Sequence, residues 1–155
     1  MIEHLFAGYP VNLEKIRARL RKTAADLGLP FGGRDKTYNS RLAQELGHWA
    51  DSKDKGEAFH REVFRAYFAG GKNIAQVPVL VDLAAAARLP REEAQAVLTT
   101  RAFRASVDAD WAAARAKGIT AVPTFAMNYD TLVGAQPYEE LKRFVEAQGI
   151  KKRSI

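Results

Sequence analysis

The sequence Ala121-Val122-Pro123-Thr124-Phe125 says most about the fold of this chain. It lies in the last quarter of 155 residues. Valine, threonine and phenylalanine favour strands, whereas a proline cannot donate a ladder hydrogen bond and occurs at strand starts and edges. We therefore predict that a strand begins here. Because an X-Pro bond prefers trans by only about 0.5–1 kcal/mol, a cis Val122-Pro123 bond is accessible, although a trans proline at a strand start is the commoner arrangement. A cis bond would expose the Val122 backbone to an extended peptide.

The residues that follow predict a β-hairpin and a final helix. The pattern is extended over residues 123–128 and 131–134, on either side of a predicted turn at Tyr129-Asp130. Pro137 suits the first turn of a helix, and Glu139 and Glu140 place negative charge near the positive end of its dipole. We therefore expect a two-stranded ribbon followed by one helix.

The middle of the chain predicts a series of helices. Asn12 is a good N-cap for a first helix, which Gly28 stops. Over residues 40–117, apolar side chains recur every three or four positions, which is the spacing of one helix face. The clearest recurrences are Leu42, Leu46 and Trp49; Phe59, Val63 and Tyr67; Leu80, Leu83 and Ala84; and Phe103, Val107 and Trp111.

Several stretches, taken in order, resemble those of the DsbA-like thioredoxin proteins, and of their FrnE branch in particular. The stretches are Leu27-Gly28-Leu29-Pro30-Phe31, Arg41-Leu42, His48-Trp49-Ala50, Val63-Phe64-Arg65-Ala66-Tyr67-Phe68, residues 118–125, and the turn Gly134-Ala135-Gln136-Pro137. The resemblance implies an α/β fold that is mostly helical: a truncated thioredoxin-like fold with a DsbA-type helical insertion, a C-terminal β-hairpin and a final helix. It also implies a single domain over residues 1–155, with the insertion at about 40–117 and the thioredoxin remnant at about 1–39 and 118–149.

The chain departs from that family in a way that bears on chemistry. Members carry an N-terminal strand, a Cys-x-x-Cys motif that opens a long helix and a second strand, and we expect this chain to lack all three. It contains no cysteine, whereas thiol–disulfide exchange needs a thiolate nucleophile and a resolving cysteine. We therefore expect a redox-inactive chain of thiol–disulfide oxidoreductase lineage, and whether it is an enzyme stays open. An upstream segment, a second copy, a swapped element or residues 1–11 would have to cover the exposed hairpin.

For a binding site, the resemblance implies the cis-proline loop. Its substrate-binding residues would be Val122, Pro123, Thr124 and Gln136, and its ligand an extended peptide or a thiol substrate. Two alternatives from other classes stay open. One is a noncatalytic interaction module that forms a homodimer through the exposed sheet edge. The other is a basic protein that binds polyanions, because the net charge is +6 and the pI is near 9.7.

Other kinds of site find little support in the residues. His4, His48 and His60 form no i,i+4 ligand pair, so we expect no metal site and no cofactor. Basic residues cluster on the first helix and at 151–153 without a nucleic-acid-binding motif, so we do not expect nucleic acid as a partner. No stretch approaches the roughly 20 apolar residues of a membrane span, and no secretory signal is recognisable. We therefore expect a cytoplasmic protein with no membrane partner.

Overall fold

The computed structural model describes residues 12–33 and 36–150. The elements are, in chain order, α1 (Leu13–Asp26), α2 (Arg41–Ser52), α3 (Gly56–Phe64), a π-helical turn (Arg65–Ala69), α4 (Val77–Ala86), α5 (Arg91–Thr100), α6 (Arg104–Ala116), β1 (Thr124–Met127), β2 (Asp130–Val133) and α7 (Tyr138–Ala147). The predicted fold class, mostly helical with a C-terminal hairpin and a final helix, is confirmed. The expectation that residues 1–11 cover the hairpin falls outside the described residues.

The chain divides into two compact units, Met1–Asp108 and Ala109–Ile155. The first contains the apolar core, in which α2 packs against α3, α4 and α5, and α4 packs against α5. The first three predicted helix faces supply this core, because Leu46, Phe59 and Leu80 are all 0% exposed, whereas Trp111 of the fourth face is 41% exposed. Since the burial of each such side chain contributes roughly 1.5–3 kcal/mol, this cluster is the main source of stability in the first unit.

A buried carboxylate joins α2 to the end of α5 and to α6. Glu45 is 1% exposed and accepts two hydrogen bonds from Arg101, at 2.7 and 2.6 Å, and one from Arg41 at 3.0 Å. Arg41 also donates to Asp108 at 2.5 Å. The Arg101 guanidinium, with Arg41 adding to it, holds the pKa of Glu45 below its ordinary value against the opposite effect of burial. The buried charge is tolerated because both of its oxygens are paired.

The loop after α1 packs backbone to backbone against the π-helical turn. The Gly32 amide donates to the Phe68 carbonyl at 2.8 Å. A Cβ atom at Gly32 would lie 2.2 Å from the Ala69 oxygen, so a residue without a Cβ is needed for this approach. The Phe31 ring stacks on that of Phe68, with the ring centroids 6.3 Å apart. The loop and the turn therefore form one surface within the first unit.

The second unit contains the hairpin and α7. The strands β1 and β2 pair antiparallel, with Met127 opposite Asp130. The two-residue turn is therefore Asn128–Tyr129, and the predicted turn at Tyr129–Asp130 was wrong by one residue. The reason is local: Asn128 has a φ of +53°, a left-handed conformation that asparagine tolerates better than most residues do.

A side-chain clamp joins this turn to the residue that ends α7. Gln148 accepts a hydrogen bond from the Asn128 amide at 2.9 Å and donates one to the Asp130 carboxylate at 2.7 Å. None of residues 109–150, the described part of this unit, is classed as buried. The hairpin is therefore placed by polar contacts and partial burial rather than by a closed apolar core.

Candidate functional site

At one end of the hairpin, Pro123 and Gly134 are paired through a single hydrogen bond. The Gly134 amide donates to the Pro123 carbonyl at 2.8 Å, but a proline has no N–H with which to return the bond. The Val122-Pro123 bond is cis. Because hydrogen-bonded and non-hydrogen-bonded pairs alternate along an antiparallel ladder, the next pair, Thr124 and Val133, is non-hydrogen-bonded. This alternation determines which backbone groups of β1 point away from β2.

The outer edge of β1 presents unpaired backbone groups. By the alternation, the N–H and C=O groups of Thr124 and Ala126 point away from β2. Within the described residues the sheet has two strands, so no third strand pairs with these groups there. Val122, two residues before Thr124, is 87% exposed. The edge is therefore a row of backbone donors and acceptors that begins at an exposed valine.

The residues predicted to bind substrate lie at this end of the hairpin. The Thr124 hydroxyl donates to the Ala121 carbonyl at 2.7 Å, which closes the loop. The Gln136 amide donates to the Val133 carbonyl at 2.7 Å. Since Val133 is the register partner of Thr124, the structure brings Gln136 to the same end as the loop Val122–Thr124. Their role in binding stays a prediction.

Both polar side chains keep acceptor capacity after these contacts. A threonine hydroxyl that donates one bond keeps its lone pairs, and a glutamine that donates through nitrogen keeps its carbonyl oxygen. Phe125 and Val133 are 38% and 50% exposed, so apolar surface lies along the same hairpin. The arrangement can therefore contact backbone donors and apolar side chains, which are the two features that an extended peptide presents.

The described residues carry neither a group of metal ligands nor a membrane-spanning helix. Among residues 12–33 and 36–150, no three histidine, aspartate or glutamate side chains are grouped as metal ligands would be. No helix in the described part of the chain combines the length and the apolar character needed to cross a membrane. The ion cluster around Glu45 was not predicted from the sequence, in which the i,i+4 spacing of Arg41 and Glu45 is its one local signal.

The fold and the proline loop agree with a family match. Residues 3–146 match the DSBA-like thioredoxin domain, so the chain belongs to that family. It is 30% identical to the uncharacterized protein YwbO of Bacillus subtilis over 112 residues, which are 72% of this chain and 56% of YwbO. The chain therefore spans little more than half the length of that relative.

Solved structures agree with this assignment. The probable DsbA oxidoreductase SCO1869 from Streptomyces coelicolor is 30% identical and has a TM-score of 0.81, over 97% of this chain and 68% of that one. A second structure, from Nitrosomonas europaea, has 17% identity and a TM-score of 0.65 over 90% of this chain and 76% of that one, and it supports the fold alone. The predicted DsbA-like membership is confirmed, and an oxidoreductase is among the structural neighbours.

Proposed function

We propose that this chain binds extended peptides along the outer edge of β1, as a FrnE-branch member of the DsbA-like family whose own residues supply no redox chemistry. One observation carries the proposal: the outward N–H and C=O groups of Thr124 and Ala126 have no strand partner among the described residues. An extended peptide satisfies such groups by adding itself to the sheet as a further strand.

The expected contacts follow from the geometry of an added strand. The peptide backbone would pair with Val122, Thr124 and Ala126, and its side chains on one face would contact Phe125. Gln136 bonds to the Val133 carbonyl, which points away from β1, so we do not expect its side chain to contact a peptide on the outer edge of β1. Each net hydrogen bond contributes about 0.5–1.5 kcal/mol, so we expect modest affinity that depends on the peptide backbone more than on its sequence.

The ligand class includes peptides that carry a thiol. A cysteine in an extended peptide would lie on this edge like any other residue. Exchange of a disulfide, however, needs a thiolate, and none of the 155 residues supplies one. The proposal is therefore binding without a redox step by this chain, and any exchange would require cysteines from outside these residues.

The test uses a cysteine-free octapeptide of alternating valine and threonine, capped at both ends and labelled with an uncharged fluorophore, with fluorescence anisotropy as the readout. Its matched control is the same peptide methylated on every internal backbone nitrogen, which keeps the side chains but removes the donors. We expect the unmethylated peptide to bind at least about tenfold more tightly, because the methylated one cannot form the ladder. Equal binding of the two peptides would exclude strand addition.

Two protein variants identify the edge that is used. Ala126→Pro removes an outward N–H of β1, and Thr131→Pro removes an outward N–H of β2 at the register partner of Ala126. We expect the first to weaken peptide binding by about tenfold and the second to leave it within about twofold. Circular dichroism of both variants shows whether the fold is kept. Equal losses in the two variants would contradict the proposal.

The homodimer alternative predicts a different outcome at the same edge. A dimer that forms without peptide, and that Ala126→Pro but not Thr131→Pro disrupts in sedimentation equilibrium, would mean that a second copy occupies the edge. That result would replace the peptide proposal. A wild-type chain that stays monomeric at high concentration while it binds the octapeptide supports the peptide proposal instead.

A further inference from the structure

A groove of about 530 Å³ lies in the first unit, between the end of α1 and the π-helical turn. We call it the Phe64 groove. Its lining includes Leu29, Pro30, Phe31, Phe64, Arg65 and Phe68. The peptide proposal does not use any of these residues.

The apolar part of the groove faces solvent although its shape is held firmly. Phe64 is 61% exposed, Leu29 is 57% exposed and Phe68 is 39% exposed. The close backbone contact at Gly32 and the stacking of Phe31 on Phe68 fix the two walls relative to each other. A concave apolar surface that is preformed in this way is typical of a ligand site rather than of scattered surface residues.

The cationic part of the groove is only partly neutralised. Arg61 lines the groove and forms an ion pair with Glu57 at 2.6 Å. Arg65 also lines it and forms no ion pair with any residue that the structure describes. Of the two guanidinium groups that line the groove, the one on Arg65 is therefore left without a carboxylate partner among the described residues. The complement of the groove is therefore an apolar body with a single negative charge.

We propose that the Phe64 groove binds a small amphiphilic monocarboxylate, with its apolar body against Leu29, Phe64 and Phe68 and its carboxylate on Arg65. A guanidinium matches a carboxylate because its planar fork can donate two parallel hydrogen bonds. The volume lies within the roughly 300–1,000 Å³ of small-molecule pockets. A protein partner would instead need a contact of about 800 Å² on each side. The inference stands independently of peptide binding at β1.

The test is isothermal titration calorimetry of the 155-residue chain with decanoate, kept below its micelle concentration, and with decanamide. The two probes share the alkyl body and differ in the charge of the head. We expect decanoate to bind about tenfold more tightly, as a charge-assisted hydrogen bond to an exposed guanidinium allows. Equal affinities, or no binding of decanoate up to its micelle concentration, would overturn the proposal.

Matched variants of the protein test the contact with the ligand's carboxylate separately from the contact with its alkyl chain. Arg65→Gln should reduce decanoate affinity to that of decanamide and leave decanamide unchanged. Arg88→Gln makes the same charge change at an exposed residue that does not line the groove, and it should alter neither affinity. If the two variants lower the affinity for decanoate equally, the carboxylate does not bind to Arg65, and the proposal fails.

Leu29→Ser tests the contact with the alkyl chain, and it should lower the affinity for both decanoate and decanamide. Leu27→Ser is its control, because Leu27 is 67% exposed and lies outside the groove lining. Equal effects of the two leucine variants would show that the alkyl chain does not occupy this groove. Both leucines are more than half exposed, so neither substitution removes a core contact. Binding of the valine–threonine octapeptide is measured alongside, and it should be unchanged in all four variants.

Discussion

At the scale of single residues, Gly32 lets the loop after α1 approach the π-helical turn. The two backbones meet at the hydrogen bond from the Gly32 amide to the Phe68 carbonyl, at 2.8 Å. Any side chain at this position would have to displace the Ala69 carbonyl. The next residue, Gly33, has nothing within 4 Å of the place where its Cβ would be, so it offers an internal control.

Gly32→Ala should therefore destabilise the chain, whereas Gly33→Ala should not. We expect the first substitution to lower the free energy of unfolding by about 2 kcal/mol, because a Cβ 2.2 Å from a backbone oxygen forces the two segments apart. The measurement is urea denaturation followed by circular dichroism. Equal stability of the two variants would mean that the close approach at Gly32 does not exist in solution.

Glu45 is the residue whose titration should matter most for stability. Its pKa is lowered in the folded chain, first by Arg101 and then by Arg41. The ionised carboxylate therefore stabilises the fold above its ordinary pKa, and this contribution is lost as the pH falls through the lowered folded-state pKa. A neutral Glu45 side chain cannot form the ion pairs with Arg101 and Arg41.

Glu45→Gln should lower the free energy of unfolding by about 3 kcal/mol near pH 7, because it leaves Arg101 without its charged partner. The difference from the wild type should shrink as the pH falls below the ordinary range of a glutamate, since the wild-type carboxyl becomes neutral as well. Glu57→Gln, at a side chain 88% exposed, is the control and should cost little at any pH. A wild-type advantage that stays constant down to low pH would contradict this assignment.

At the scale of elements, the hairpin and α7 are joined by Gln148, which contacts both residues flanking the turn tip. The amide of Gln148 bonds to Asn128 and to Asp130, at 2.9 and 2.7 Å. Because no residue of 109–150 is classed as buried, these two bonds are a substantial part of what fixes the hairpin against its helix. Loss of these two bonds should therefore affect the hairpin rather than the stability of the whole chain.

Gln148→Ala should loosen the hairpin without unfolding the helices of the first unit. We expect the free energy of local opening at the ladder amides of β1 and β2 to fall by about 1 kcal/mol. Amide hydrogen exchange measures this directly. Glu146→Ala, at an exposed position of the same helix, is the control and should leave exchange unchanged. Faster exchange in both variants would assign the effect to α7 itself rather than to the clamp.

The elements that could be predicted are those with local signals. Pro123 and Pro137 indicated where β1 and α7 begin, and the helix faces of the middle segment were readable from their spacing. The turn was misplaced because the left-handed conformation of Asn128 is one of several that a short polar stretch allows. Local patterns therefore located the hairpin strands and the start of α7 to within a residue.

Contacts between distant residues were not predictable in this way. Glu45 and Arg101 are 56 positions apart, and nothing in either neighbourhood indicates the other. The Phe64 groove joins Leu29 to Phe64 and Arg65, which belong to separate stretches of the sequence. The candidate binding residues Val122, Pro123, Thr124 and Gln136 came from the family resemblance, and their role stays a prediction. Tertiary packing, which a single sequence does not display, accounts for the rest.

At the scale of the whole molecule, the chain is a DSBA-like thioredoxin domain without a cysteine. Its first unit carries the buried core, and its second carries the hairpin, whose β1 edge has no strand partner among the described residues. The net charge of +6 leaves the polyanion alternative as a separate expectation with its own signature. Peptide addition and polyanion binding differ most in their response to salt.

Binding of the uncharged valine–threonine octapeptide should be nearly independent of ionic strength. Since backbone hydrogen bonds and apolar contacts carry it, we expect the affinity to change by less than about twofold between about 0.05 and 0.5 M salt. Binding driven by counterion release would fall by orders of magnitude over the same range. Anisotropy titrations with the octapeptide, and in parallel with a single-stranded oligonucleotide, distinguish the two. Tight, salt-sensitive oligonucleotide binding together with no octapeptide binding would favour the polyanion alternative.

Residue-resolved amide hydrogen exchange with and without the octapeptide shows whether the outer edge of β1 receives an extended peptide. We expect exchange at the Thr124 and Ala126 amides to slow by about tenfold or more on binding, because they gain ladder partners. The outward amides of Thr131 and Val133, on β2, should not change. Slowing confined to β2, or equal slowing on both edges, would contradict the claim.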